Sequence, residues 1–368
     1  MADEAVPSSA DSASNSTWDT ATDSASDPGS GSTSGLGSKT AERKLRRSRA
    51  YEAGRLIAED FPLAEVSDCI ERPEATVWFD LEDPTAAELE QLRDELGLHS
   101  LAIEDATHMR QRPKLDRYEG HLVLSAYRVR AAGDGDLDAA MVLAFITPHA
   151  LVTVHQAGTL DVDGMLKRWD ESPDLLKHGI PFLVYGLLDY IVDGYFEALQ
   201  RLDDTIENLS DVIFETGNGK ESAIALRQTF ELRRGLLTAR HVISPMREVV
   251  NALMRRDWNR LDGELTPYYQ DLYDHVLRVA DWADNLRDLL ATVRETQLTI
   301  QGNRMNLIMK KVTSWAAIIA VPTAVTGFYG QNVPYPGFST TAGFWTSTGL
   351  ILGLSAVLYL TFKHRDWL

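Results

Sequence analysis

The sequence predicts an α/β domain that is followed by long helices (an α+β arrangement) and ends in two helices that cross a membrane. Three features predict this order. Short strand and helix patterns alternate up to about residue 160, and long helical patterns follow to residue 311. From Val312 to Phe362 there is no Asp, Glu, Lys, Arg or His. A helix needs about 20 apolar residues to span the hydrocarbon core of a bilayer, so this last run has room for two spans.

The longest predicted helix runs from about Pro267 to Gly330. No proline interrupts it between Tyr268 and Val321. At about 1.5 Å per residue, it would be on the order of 95 Å long. Its first two thirds carry many charges, whereas its last third, from Val312 onward, carries none. The pattern therefore predicts a long stalk helix that is continuous with the first membrane helix.

Basic residues predict the orientation of the two membrane spans. The spans cover roughly 312–329 and 342–362, and the segment 330–337 between them has the two prolines and two glycines of a loop. Basic residues occur at 310–311, before the first span, and at 363–365, after the second, but not in the loop. Because basic flanks stay on the cytosolic side, we expect a multi-pass protein of the cell membrane with both termini in the cytosol.

Composition narrows the class of protein further. The formal net charge of −18 argues against binding of nucleic acid and suits attraction of cations. The single cysteine, Cys69, excludes an internal disulfide, as expected in a reducing cytosol. Residues 1 to about 40 are rich in Ser, Thr, Ala, Gly and Asp, which predicts a disordered tail. For the basic residues between 43 and 49, the solvated start of a helix is favoured over a lipid-facing role.

In the α/β part, we expect strands at 76–81, 121–129, 141–147 and 150–155 and a helix at 84–96. The strands are rich in apolar and β-branched residues, and the helix has leucines on one face. The sequence contains no phosphate-binding glycine loop, no zinc-ligand pair at helical spacing and no nucleophile elbow. An enzyme is therefore not expected.

Two further long helices are predicted at 162–215 and 223–255, joined by a turn at 216–219 into a hairpin. The first helix carries many acids towards its end, from Glu197 to Glu215. These acids form either the solvated face of a coiled coil or a surface that attracts cations, and the pattern leaves both open.

The predicted organisation has eight parts. They are a disordered tail (1–50), an α/β domain (51–160), a helical hairpin (161–265), the stalk helix (266–311), the first membrane helix (312–330), an external loop (331–341), the second membrane helix (342–362) and a basic tail (363–368).

One face of the long helix is small or weakly polar, and we call it the small face. Its residues recur in steps of three and four, which places them on one side of a helix. They are Asn306, Met309, Val312, Ala316, Ala320, Thr323 and Gly327. Small residues in a membrane helix indicate close helix packing or a pore lining, and the pattern alone leaves both open. Just beyond, Asn332 offers either an amide oxygen to a cation or ordinary turn chemistry.

Several motifs, in order, resemble the CorA-type magnesium transporter family. Tyr329-Gly330-Gln331-Asn332 resembles the Gly-Met-Asn signature that follows its first membrane helix. Further similar segments lie at 103–105 with 110–114, at 188–199, at 268–275, at 303–306 and at 367–368. The resemblance covers about residues 60 to 368.

The resemblance implies a homopentamer that sits in membrane lipid and conducts Mg²⁺, with Co²⁺ or Ni²⁺ as further divalent cations, below a cytosolic funnel. The first membrane helix of each subunit would line the pore with its small face. Asn332, in the signature that begins at Gly330, would receive the cation at the outer mouth. Neutral oxygens of Asn306, Thr323 and the Gly327 carbonyl would hold it weakly on its way.

The resemblance also implies a gate and a regulatory site. Met309 and Val312 would form an apolar constriction. At Ala320, family members often have a larger apolar side chain, so this position would contribute less to the gate. Asp105, with its neighbour Glu104, and Asp271 match positions where members bind regulatory Mg²⁺ between subunits. Cytosolic Mg²⁺ would then close the pore.

Two departures from the family pattern leave alternatives open. Gln331 replaces the methionine of the signature, and the loop has no acid where many members carry glutamate. The alternatives are a zinc transporter of the same architecture and a membrane-anchored coiled-coil scaffold that transports nothing. Zinc prefers nitrogen and sulfur ligands, and few His or Cys lie near the predicted path, which disfavours the first.

Overall fold

The N-terminal part of the chain forms a seven-stranded mixed sheet. The computed structural model describes residues 46–70, 72, 75–108, 111–215, 219–255, 263–331 and 334–368. The strands are β1 (Arg46–Glu52), β2 (Arg55–Glu59), β3 (Ala75–Glu82), β4 (Lys114–Arg117), β5 (Leu122–Ala132), β6 (Asp136–Ile146) and β7 (Ala150–His155). Their order in the sheet is β2-β1-β3-β7-β6-β5-β4. The β3–β7 pair is parallel and the other pairs are antiparallel.

Helices cover both faces of this sheet. The remaining elements are α1 (Val66–Ile70), α2 (Ala86–Leu96), α3 (Ser100–Thr107), α4 (Val162–Asp170), α5 (Pro173–Leu176), α6 (Ile180–Glu215), α7 (Gly219–Met254), α8 (Thr266–Tyr329) and α9 (Thr341–His364). Successive residues of a strand point to opposite faces. In β3, Phe79 packs in the core with α1, α2 and α3, whereas Trp78 packs edge-on against Trp169 of α4, at 5.3 Å between ring centroids. The α/β prediction is confirmed.

The first strand corrects the predicted boundary at residue 50. Arg46–Glu52 form β1, so a helix start in the basic cluster is wrong and the predicted tail reaches too far. The reason is tertiary pairing: the Arg49 guanidinium lies 2.7 Å from Glu59 and 2.8 Å from Asp170. A charged residue that finds such partners fits a strand in the interior of a sheet. The tail before residue 46 lies outside the described residues.

The predicted helix 162–215 is broken in two places. Pro173 begins α5, and Gly179, with φ of +67°, precedes α6 in a left-handed conformation that favours glycine. The expectation of one continuous helix is therefore wrong. The two long helices α6 and α7 follow as predicted, although the turn at 216–218 lies outside the described residues.

Glycine lets the hairpin pack closely. A Cβ at Gly186 of α6 would overlap the Trp169 indole, and one at Gly235 of α7 would overlap the Gly135 carbonyl in the turn before β6. A side chain at either position would push a helix off the sheet.

The long C-terminal helices match their predictions within a few residues. By length and composition, α8 and α9 could each cross a membrane. The 64 residues of α8 form one helix, through Pro322, and span about 96 Å at 1.5 Å per residue. The helix α9 contacts α8.

Candidate functional site

The two ends of α8 have different surroundings. From Tyr269 to Gln297, apolar residues recur every three or four positions and are buried against α6 and α7. From Gln301 to Thr313, every residue is exposed in the single chain. The apolar side chains of this second stretch are therefore not covered by any other part of the same chain that the structure describes.

All seven residues of the small face are exposed. Met309 is 59% exposed and Val312 is 61% exposed. The other exposed members are Asn306, Ala316, Ala320, Thr323 and Gly327. From Ala316 to Gly327 the face carries no side chain larger than threonine. Ile319 and Phe328, both large and exposed, flank it on either side.

The second membrane helix lies on the other side of α8. The residues of α8 that are at least partly buried in the membrane stretch are Ser314, Ala317, Ile318, Val321, Pro322, Val325 and Tyr329. At 3.6 residues per turn, this set is centred roughly 150° around the helix from the small face. Since α6 and α7 pack against the first half of α8 and α9 packs against this stretch, the small face points away from α9. The structure thus separates a face for packing within the chain from a face that is left open.

Threonine and glycine supply the polar groups of the open face. The Thr323 hydroxyl donates to the Ile319 carbonyl at 3.1 Å, which satisfies its proton and leaves its oxygen able to accept or to bind a cation. A Cβ at Gly327 would meet nothing within 4 Å, so the helix surface is open at this position.

The helix ends at the glycine of the signature. The Gly330 N–H donates to the Thr326 carbonyl at 2.8 Å, and a Cβ at Gly330 would lie only 3.0 Å from that oxygen. On either side of the signature, the rings of Tyr329 and Tyr335 meet edge to face at 4.9 Å. Asn332 itself lies outside the described residues, so its predicted place at the mouth stays a prediction.

The structure places the regulatory candidates on opposite sides of the sheet. Glu104 and Asp105 belong to α3, whose apolar residues join the core with α1 and α2, whereas Asp271 belongs to α8 in the other core. One chain does not bring them together. Among the described residues, no group of three His, Cys, Asp or Glu side chains is arranged to hold a metal ion.

Asp105 already has a cationic neighbour. The Lys114 ammonium lies 3.0 Å from the Asp105 carboxylate and also pairs with Asp116. Burial opposes the charge on Lys114, but the hydrogen bonds that it donates to Asp116 and Asp105, together with their charges, raise the pKa of the ammonium. A divalent cation at Asp105 would therefore have to displace or join a lysine.

Asp271 is exposed, with acids of α6 beside it. Its side chain is 62% exposed and lies 3.7 Å from His275. Asp189, one turn before Asp193, has its pKa raised by burial and by the charge of Asp193, and Asp271 adds to that effect. Sequence reasoning assigned no role to Asp189 or Asp193. Their spacing of four places both on one side of α6, but the sequence does not show that this side faces α8.

The chain is similar to known metal-ion transporters. A model of the family described as CorA-like Mg²⁺ transporter protein matches residues 73–364. The putative metal ion transporter YfjQ of Bacillus subtilis is 31% identical over 300 residues, which cover 81% of this chain and 92% of that relative. The cobalt/magnesium transport protein CorA of Thermotoga maritima is 28% identical over 276 residues, covering 74% and 77%.

Solved structures share the fold. The CorA magnesium transporter from Methanocaldococcus jannaschii matches with a TM-score of 0.73 at 22% identity, over 88% of this chain and 99% of that one. The full-length CmaX protein matches with a TM-score of 0.60 at 19% identity, over 90% and 100%. These matches confirm the predicted order of a sheet domain, long helices and two C-terminal helices.

Proposed function

Because the chain belongs to the CorA-like Mg²⁺ transporter family, we propose that it conducts divalent cations, Mg²⁺ first among them, into the cell through a pore built from several copies of α8. One observation carries this proposal: the small face of α8 is open along the whole apolar stretch and lies opposite α9. Two helices of one chain cannot enclose a pore. Copies of α8 that turn their small faces to a common axis would enclose one, with α9 outside.

The composition of the small face suits a strongly hydrated cation. Mg²⁺ loses its water reluctantly and usually keeps several water molecules when bound. Asn306, Thr323, the Gly327 carbonyl and Asn332 offer neutral oxygens, which bind such a hydrated ion weakly enough to release it. Met309 and Val312 would form the narrow apolar part. Ala320 is too small to contribute, so the gate rests on those two residues.

A homopentamer in the cell membrane is the arrangement that we propose. The basic residues at 310–311 and 363–365 support an orientation with the sheet domain and both termini in the cytosol and the segment with Asn332 outside. The negative membrane potential then drives cations from Asn332 towards Asn306. The acids of α6 and α8 would lie at the cytosolic exit, where they attract cations.

Cytosolic Mg²⁺ would regulate the pore between subunits. Asp105, with Glu104 beside it, would face Asp271 of a second copy. Without a cation these carboxylates would repel each other, although Lys114 reduces the repulsion by pairing with Asp105. A bound Mg²⁺ would bridge them. The free energy of binding is available only to the state that brings both sides together, which is the condition for a ligand to shift a population. If that state is closed, Mg²⁺ limits its own entry.

Uptake into proteoliposomes tests the proposed function. We expect wild-type protein to admit Mg²⁺, Co²⁺ and Ni²⁺ down a gradient, and Asn332→Ala to abolish this uptake because the ring of amide oxygens is lost. Gln331→Ala is the matched control, since it removes a neighbouring amide and should leave substantial uptake.

Other outcomes decide between the alternatives. Uptake of Zn²⁺ without Mg²⁺ would make the protein a zinc transporter, and no uptake of any metal would favour a membrane-anchored scaffold. Unchanged Mg²⁺ uptake by Asn332→Ala would remove Asn332 from the path.

A further inference from the structure

A polar cavity of about 580 Å³ lies between β5, α4 and α6, in the part of the chain that is N-terminal to the stalk helix. Four arginines line it, together with three acids. The arginines are Arg128, Arg130, Arg168 and Arg201, and the acids are Asp161, Asp193 and Glu197. The cavity is not part of the ion pathway described above.

Arg128 is the unusual member of this cavity. It comes from β5 and is only 6% exposed. In the part of the chain that the structure describes, no hydrogen bond, ion pair or ring contact engages its guanidinium group. A buried charge without a partner is costly, and arginine cannot lose its proton to avoid that cost. The guanidinium nitrogens are not among the fully enclosed atoms without a partner, so they open onto the cavity, where they can donate to a bound group.

The acids of the cavity are largely committed to other groups. The Asp161 carboxylate accepts from the Gly164 N–H at 3.1 Å and caps α4. Asp193 accepts from Arg168, which also lies over the Tyr190 ring at 5.2 Å. Arg130 donates to the Gly158 carbonyl at 3.3 Å. Of these contacts, only the Arg168–Asp193 ion pair cancels charge, because the others join a charged group to a neutral one. The remaining lining has three arginines (Arg128, Arg130 and Arg201) and two acids (Asp161 and Glu197), so it carries an excess of one positive charge.

We propose that this cavity binds a small phosphate-bearing anion, with Arg128 as its central ligand. The planar guanidinium fork matches two phosphate oxygens, and such charge-assisted pairs are the strong ones among hydrogen bonds. Arg201 of α6 is exposed and lies about one turn beyond Glu197, so it supplies a second positive charge at the rim of the cavity. The volume leaves room for more than an inorganic phosphate, so a phosphate ester such as a nucleotide also fits.

Calorimetric titration of the full-length protein in detergent tests this inference. The probes are inorganic phosphate and ATP, with EDTA present so that no metal contributes. We expect Arg128→Gln to weaken binding by about tenfold or more, a change that corresponds to about 1.4 kcal/mol. Arg201→Gln should weaken it by a smaller factor. Arg55→Gln, an exposed arginine on β2 away from the cavity, should leave it unchanged.

Thermal unfolding gives a second readout that does not depend on transport. A ligand that binds the folded state raises the melting temperature with its concentration. We expect phosphate or ATP to do so for wild type and Arg55→Gln, and not for Arg128→Gln. Binding of phosphate alone identifies an inorganic anion, and binding of ATP alone identifies an ester.

Three results would overturn the inference. The first is that neither probe binds to the wild-type protein. The second is that Arg128→Gln and Arg201→Gln bind the probes as tightly as wild type does. The third is that Arg128→Gln separates the oligomer into single chains on a sizing column. The last result would mean that an acid of a second copy is the partner of Arg128.

Discussion

The two halves of α8 show how one helix can serve two environments. Between Tyr269 and Gln297, ten of its residues are buried, and α6 and α7 pack against this half. Among its described residues beyond Gln297, Ser314 alone is buried. The first half is complete within one chain. The second half presents open apolar and weakly polar faces, which only lipid, water or further copies of the chain can cover.

This difference has a consequence for mutations. In the packed half, side-chain volume determines stability, because each apolar residue fills space between helices. On the small face, side-chain chemistry would determine ion passage, because nothing in the chain packs against it. The same kind of truncation should therefore lower stability in the packed half and alter ion passage on the small face.

The largest expected effect is on the stability of the packed half. Leu272, which is fully buried, should cost about 2–5 kcal/mol of unfolding free energy when it is changed to Ala. Met309→Ala on the small face should stay within about 0.5 kcal/mol and instead alter Mg²⁺ uptake. Chemical unfolding in detergent, followed by circular dichroism, measures the first quantity. An equal loss of stability in both variants would mean that the small face is packed and not open.

The sequence predicts the α8 half that faces the membrane more securely than the elements around the sheet. The C-terminal end of α8 and the extent of α9 follow from the charge-free run and the loop with prolines and glycines that divides it, and neither signal needs tertiary information. By contrast, β6 begins at Asp136, earlier than the predicted 141. Its first residues are acidic or small and give no strand pattern in the sequence, but they pair with β5 in the fold. In β1, two of the arginines that suggested a solvated helix have partners elsewhere in the fold: Arg49 pairs with Glu59 and Asp170, and Arg47 pairs with Asp163.

A smaller effect is expected at the exposed acids of the packed half. If a second copy approaches Asp271, then Asp271→Ala should raise the internal Mg²⁺ concentration that halves uptake by about fivefold or more, since coupling between sites is typically about 1–3 kcal/mol. Asp271→Lys should mimic a bridging charge and hold the pore closed. Asp281→Ala, another exposed acid on the same helix, is the control and should change nothing.

The outcome also locates the regulatory site. Wild-type sensitivity in both Asp271 variants would move regulation to the acids between Glu197 and Glu215. Proximity of Asp189 to Asp271 is visible only in the fold, because it depends on how α6 and α8 pack. Asp189→Asn, which removes a charge beside Asp271, separates a role for this pair from a role for Asp271 alone.

The smallest expected effect is a pH dependence of stability that belongs to the sheet. His155 is buried with its Nε2 3.1 Å from Asp80 and its Nδ1 2.9 Å from the Gln156 carbonyl. Burial is the largest single influence and works against the charged ring. The hydrogen bond and the charge of Asp80, the Gln156 carbonyl and the charge of Glu82 together outweigh it and raise the pKa of His155 above its ordinary value of 6.5. The charged form thus stabilises the fold below pH 6.5, and that stabilisation is lost as pH rises through the raised pKa.

Unfolding by denaturant across this pH range measures the effect. We expect the unfolding midpoint to fall from pH 6.5 upward in wild type and to fall less in His155→Gln. A His155→Gln variant with the wild-type slope would show that the His155–Asp80 pair does not carry the dependence. The stretch from Val312 to Phe362 has no acid, lysine, arginine or histidine, so its stability should not change over the same range.

Thiol accessibility along α8 tests the central claim most directly. In a Cys69→Ser background, single cysteines replace Ala316, Ala320 and Gly327 on the small face, and Ala317, Ile318 and Val325 on the side towards α9. Mg²⁺ uptake into proteoliposomes is then measured before and after a small, water-soluble thiol reagent. The account predicts that the reagent blocks uptake in the first set and not in the second. Block in the second set alone, or in neither, would contradict a pore lined by the small face.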